Sequence, residues 1–196
     1  MTIPVGYCTN VHAGATLDET RTNLQRYAVA VKRRFSPEAP MGVGLWLSAS
    51  AARMLRAENR VAEFGTWLGE NGLVPYTFNG FPYGDFHKSV VKHEVYLPTW
   101  TDSRRADYTR DLIAIQHALL PPGMSGSIST LPLAWGEPHP SAAQLDEAAA
   151  QLRQLADELA RLERETGRSV PVSSVLQARS MREVHALVSV DGTDTR

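Results

Sequence analysis

Apolar residues along this chain recur in two alternating rhythms. Short runs rich in β-branched and aromatic residues are each followed by a longer segment whose apolar positions lie three, four or seven apart. The first kind reads as buried strand, the second as amphipathic helix. The pattern predicts strands over 3–8, 41–47, 73–78 and 127–133, and a fifth over 168–176 (RSVPVSSVL). The run 41–47, MGVGLWL, is almost wholly apolar, as expected of a strand covered on both faces.

The helical segments carry their own start and stop signals. Thr16 with Glu19 makes a capping box that opens a helix through about residue 34. Leu17, Leu24, Tyr27, Val31 and Phe35 give that helix one apolar face. Ser48-Ala49-Ser50 starts a short helix to about residue 58, and 61–71 carries another with Phe64, Trp67 and Leu68 inward. Asn71-Gly72 stops it with a glycine free to take the left-handed cap. Thr101 opens the next helix, with Asp102 in the first turn and Tyr108, Leu112, Ile115 and Leu119 as the buried stripe. A second capping box, Ser141 with Gln144, begins the clearest helix, 142–166. Its stripe of Leu145, Ala148, Leu152, Leu155, Leu159 and Leu162 spans too few heptads for a coiled coil, so the helix is expected to pack on a sheet.

Strand followed by helix, repeated along the chain, predicts a parallel α/β sheet with its irregular loops at the carboxyl ends of the strands. Both a barrel and an open doubly wound sheet satisfy that alternation. One loop dominates. After Phe78 the chain breaks at Asn79-Gly80-Phe81-Pro82-Tyr83-Gly84 and continues through Phe86, His87, Lys88, Lys92, His93, Tyr96 and Trp100 without helical or strand period. A long aromatic loop straight after a strand is where such folds place ligand sites, although a surface loop pinned by its own rings gives the same text. Glycine-rich nucleotide motifs opening a helix are absent, since the glycines of GVGLW lie inside a strand.

Totals narrow the classes further. At 196 residues, 43% hydrophobic and 21% charged, the chain can bury a core as one domain. A formal net charge of −1 gives no electrostatic reason to expect nucleic acid or an anionic membrane as partner. A single cysteine, Cys8, rules out an intrachain disulfide framework and fits a reducing, cytoplasmic setting. At the end of a buried strand, Cys8 is expected to be a small core residue rather than a nucleophile. Apolar runs are too short for a membrane span, and MTIPVGYC lacks the features of a secretory signal.

The segments GYCTNVH (6–12), VGLWLS (43–48), FNGFPYGDFH (78–87), VYLPTW (95–100) and SISTLPLAW (127–135) together resemble one family. It is the EboE-type metabolite traffic proteins of the xylose isomerase-like TIM-barrel superfamily, which also holds sugar phosphate isomerases and epimerases. The likeness runs from about residue 5 to about residue 168, and NGFPYGxFH is its most specific string. It implies that Asn10 and His12 follow the first strand, Trp46 ends the second, Asn79, Phe81, Tyr83 and His87 follow the third, and Ser129, Thr130 and Trp135 end the fourth. Amide and hydroxyl groups of that set suit a sugar- or cyclitol-like metabolite, with Trp46, Phe81 and Tyr83 stacking on a ring and His87 as the catalytic candidate. In the complete family a divalent metal, zinc or manganese, would polarise a carbonyl and its neighbouring hydroxyl.

The chain departs from the family where those metal ligands belong. A full (β/α)₈ barrel takes about 250 residues, whereas this text offers four βα units and a fifth strand without Asp or Glu. The expectation is a partial TIM barrel over 1–168, followed at 169–196 by an atypical tail of frameshifted or non-native sequence, with no metal held. Asp85, Glu137 and His139 are the remaining candidates near strand ends, without any spacing of the H-x-x-x-H kind. Three functional classes follow. They are a truncated isomerase-like protein, a non-enzymatic metabolite-binding or trafficking protein, and a half barrel completed by a homodimer. An open half barrel is also expected to leave an apolar interior wet and to associate or aggregate.

Overall fold

The computed structural model describes residues 6–57, 60–87, 92–133 and 139–174. Its strands are β1 (Gly6–Cys8), β2 (Met41–Leu45), β3 (Leu73–Asn79), β4 (Ser127–Thr130) and β5 (Val172–Ser174). They form one sheet in the order β1-β2-β3-β4-β5, with every adjacent pair parallel. The α/β class with βα repeats is therefore as the alternation predicts. β2 and β4 are shorter than their apolar runs, 41–47 and 127–133, because each run continues past the last ladder bond into the loop, whereas β3 reaches one residue beyond its run, to Asn79. Leu47 and Leu131, for instance, are fully buried yet lie beyond β2 and β4.

Helices fill the connections. α1 (Leu17–Asn23) passes through a π turn, Leu24–Ala28, into α2 (Val29–Phe35); α3 (Ala49–Ala57) and α4 (Val61–Glu70) link β2 to β3. α5 (Ser103–Leu119) packs against β3 and β4 and touches α3, α4 and α6 (Ala142–Thr166). The helical side of the sheet is dry: Val43, Leu45, Phe78 and Ile128 are at most 1% exposed. Because side chains alternate across a strand, the opposite face carries Cys8, Gly44, Thr77, Asn79, Ser127 and Ser129. Contacts fix that assignment. Ser127 Oγ donates to Thr77 Oγ1 at 2.9 Å, Ser129 Oγ donates to Asn79 Oδ1 at 3.0 Å, and a side chain on Gly44 would meet Thr77 and Cys8. This face thus carries hydroxyls, an amide and glycine, together with the Tyr76 ring, which reaches Gly6.

Three local expectations are corrected. The π turn inserts one extra residue, so the apolar face of the first helix shifts by one position after Leu24. Ala28 and Val29 are buried instead of Tyr27, while Phe35 is 62% exposed and Ser36 is buried. Thr101 does not open α5; Asp102 is its N-cap and accepts from the Arg104 amide at 2.9 Å. Cys8 is exposed rather than core, because β1 lies at the sheet edge and turns Cys8 to the polar face. Both capping boxes, at Thr16 and Ser141, are formed, and Gly167 closes α6 at φ 66°.

Candidate functional site

Parallel strands bring all their carboxyl ends to one edge of the sheet, where the irregular connections gather. The connection after β3 has no ladder partner for most of its carbonyls, and buried carbonyls must find donors elsewhere. They find them in sequence. Gly80 N–H first donates to Ser129 O at 2.8 Å, holding the start of the loop to β4. Arg105 Nη1 then donates to Gly80 O at 3.0 Å and to Phe81 O at 3.2 Å. Pro82 O accepts from Trp46 Nε1 at 3.0 Å and from the Tyr108 hydroxyl at 3.1 Å. Tyr83 O accepts from the Ala49 amide at 2.8 Å. Gly80 is required here by space, since a Cβ would stand 2.7 Å from Ser129 O. The NGFPY loop is therefore a fixed piece of backbone.

A second set of contacts joins the ends of β1 and β2 to the tail of that loop. Thr9 Oγ1 donates to Gly44 O at 3.0 Å and accepts from the Trp46 amide at 3.1 Å, fastening the 3₁₀ turn Thr9–Val11 to β2. His87 is folded back by its own amide, which donates to Asp85 Oδ1 at 3.0 Å. Its ring lies 4.1 Å from that of Phe86, whose edge meets Trp46 at 4.7 Å. His87 Nε2 sits 2.9 Å from the Asn10 carbonyl oxygen. A carbonyl only accepts, so Nε2 carries the proton and, in the neutral ring, Nδ1 is a bare lone pair. Among the described residues that Nδ1 is buried without a partner, and so is the side-chain Oδ1 of Asn10.

His12 is nearby but differently used. Its Nε2 lies 2.6 Å from the Tyr7 hydroxyl, and its ring stacks on Tyr27 at 3.9 Å between centroids. Burial, and then the charge of His87, hold its pKa below the usual histidine value, so it prefers the neutral form. The Tyr7 phenol is pushed up by burial and by the negative forms of Tyr27 and Cys8.

The fold thus brings Asn10, His12, Trp46 and His87 together at the ends of β1 to β3. Trp46, at 3% exposed with its N–H engaged, braces the loop and offers no open face for stacking. Phe81 and Tyr83 are half-buried, set edge-to-face against Tyr96 and Tyr108 respectively. Asn79 Oδ1 is used by Ser129 and by the Phe81 amide, making Asn79 a turn-forming residue. Ser129 faces the polar side, but Thr130, next in the strand, points into the dry helical side at 2% exposed and cannot share a ligand with it. Trp135, Glu137 and Lys88 lie outside the described residues, as do the side chains of Lys92 and His93; His139 is exposed.

Two residues of the site went unread in the sequence. Arg105 is fully buried, its Nε donating to Pro98 O at 2.9 Å and its guanidinium carbon 5.6 Å from the ring centres of both Tyr83 and Tyr108. Burial pushes its pKa down to about 10, which leaves it charged at neutral pH. Beside it in the chain stands Arg104, an exposed residue of the same type paired with Asp102, so composition gives no sign of which one is inside. Tyr108 was legible as a core residue, but not the bonds its hydroxyl gives Leu47 O and Pro82 O.

The described residues do not fit a zinc or manganese centre. Among them no three His, Cys, Asp or Glu side chains converge, and His87 Nδ1 with Asn10 Oδ1 supplies only two donors. No helix among them is long and apolar enough to cross a membrane. Comparison with models of known protein families gives no match, and searches of curated proteins and of solved structures give none either.

Proposed function

We propose that the chain is an EboE-like portion of a xylose isomerase-type TIM barrel that binds a small hydroxylated metabolite at the carboxyl ends of β1 to β3. The observation that carries the reading is the pair of buried, unpartnered atoms on contacting residues, His87 Nδ1 and Asn10 Oδ1. Buried polar atoms without partners are few in folded proteins and cluster where a ligand or water completes them. Both are acceptors, so the ligand must bring donors. Adjacent hydroxyls of a neutral sugar or cyclitol do so, whereas a phosphate or carboxylate group would meet only lone pairs. His87 is the acid–base candidate, because a bare imidazole nitrogen accepts a proton from a bound hydroxyl.

Binding without isomerase turnover is the expected behaviour, since the donor set for a metal is missing from the described residues. Titrating ¹⁵N-histidine-labelled protein with xylose and with myo-inositol should shift the His87 ring signals, and Asn10→Ala should weaken the response at least about tenfold, the loss of a well-made bond near a charged or buried partner. Unmoved His87 signals with every neutral polyol would sink the reading, and isomerisation of a sugar abolished by His87→Ala would sink its non-catalytic part.

A second reading, a barrel completed by a second copy, is favoured by one observation. Among the described residues β1 pairs only with β2 and β5 only with β4, so both borders of the sheet present unpaired backbone.

A further inference from the structure

Arg105 on α5 is charged, fully buried and paired with no carboxylate among the described residues. A guanidinium removed from water loses strong hydration that its remaining bonds must offset. Here Nε and Nη1 are used on backbone, while Nη2 is buried without a partner among the described residues. Gly80 O and Phe81 O belong to the outgoing limb of the β3–α5 connection, and Pro98 O belongs to its returning limb. One planar side chain therefore binds both limbs of the longest connection in the sheet. The rings of Tyr83 and Tyr108 lie against it as the apolar and cation–π surround. Four residues beyond Tyr83, the outgoing limb delivers His87 to the Asn10 carbonyl.

We propose that Arg105 is the positioning residue of the site: its fork sets both limbs of the β3–α5 connection and so holds His87 on Asn10 with Nδ1 bare. The proposal rests on the reading of His87 given above. A lysine in its place keeps the charge but is a single point of donation that cannot span carbonyls on both limbs, so the role belongs to the guanidinium shape and not to the charge.

The experiment is long-range ¹H–¹⁵N spectroscopy of the His87 ring, recorded above pH 8 in the unliganded protein. The wild-type chain should show the Nε2–H tautomer alone. Arg105→Lys and Arg105→Met should both show exchange between the two tautomers, whereas Leu155→Ala, a core truncation on α6, should leave His87 unchanged even though it lowers stability. A wild-type ring without the Nε2–H tautomer overturns the reading of His87 itself, before any variant is made. A folded Arg105→Lys that keeps the tautomer intact overturns the positioning role alone. Failure of both Arg105 variants to fold also overturns it, in favour of a purely structural arginine.

Discussion

At Pro82 a proline carbonyl lies buried where no strand or helix can reach it, and two side chains from different elements converge on it, Trp46 Nε1 and the Tyr108 hydroxyl. Side chains replace a ladder along this stretch, so single substitutions are felt in the loop rather than only in the core. Tyr108→Phe is the cleanest case, since it keeps the ring against Tyr83 and removes only the hydroxyl bonded to Leu47 O and Pro82 O. Stability should fall by about 1–3 kcal/mol, the usual consequence of leaving buried carbonyls short of a donor. A urea melt against wild type reads it directly. At this scale the sequence is informative where a residue type is demanded locally, as at Gly80, whose added Cβ would strike Ser129 O. It is silent where the partner is distant. Arg104 and Arg105 are neighbours of one type, yet one is solvated and the other fills the base of the site. Ser129 and Thr130 read as a pair in the text, and only the alternation of the strand separates them.

Helix ends were the most legible elements, because capping chemistry is short-range. Both capping boxes and the Gly167 stop stand where Thr16, Glu19, Ser141 and Gln144 place them. Thr101 and Asp102 are both good caps, and the structure chooses Asp102, whose carboxylate also takes the Arg104 guanidinium. The bonds from that guanidinium hold the Asp102 carboxyl below its ordinary pKa, so the ionised cap persists to lower pH than in an unpaired aspartate. Asp102→Ala should cost about 1 kcal/mol, measured as a lowered midpoint of thermal or denaturant unfolding, while Thr101→Ala should change little. The π turn at Leu24–Ala28 is the opposite case. Its apolar positions fit an uninterrupted helix as well as a bulged one, and only packing of Ala28 and Val29 against the sheet decides between them.

For the molecule as a whole, the alternation of rhythms carried the α/β class and the parallel sheet, because buried strands and amphipathic helices leave different periods in the text. The polarity of the face opposite the helices was less visible. Thr77, Asn79, Ser127 and Ser129 alternate with Phe78, Ile128 and Thr130, but the runs read as apolar blocks when taken whole. With hydroxyls along much of that face, hydrophobic collapse there supplies little drive to self-association, and the dimer of the second reading forms through the sheet borders. Light scattering at micromolar concentration should therefore report a monomer unless the second reading holds; a dimer that dissociates when a lysine replaces Cys8 on β1 would support barrel completion by a second copy. The order β1-β2-β3-β4-β5 also has a kinetic meaning. Every strand lies beside the one synthesised just before it, so as the chain leaves the ribosome each βα unit meets a docking edge already in place. Assembly can proceed from the amino end by accretion, without a late segment having to be threaded between two earlier ones.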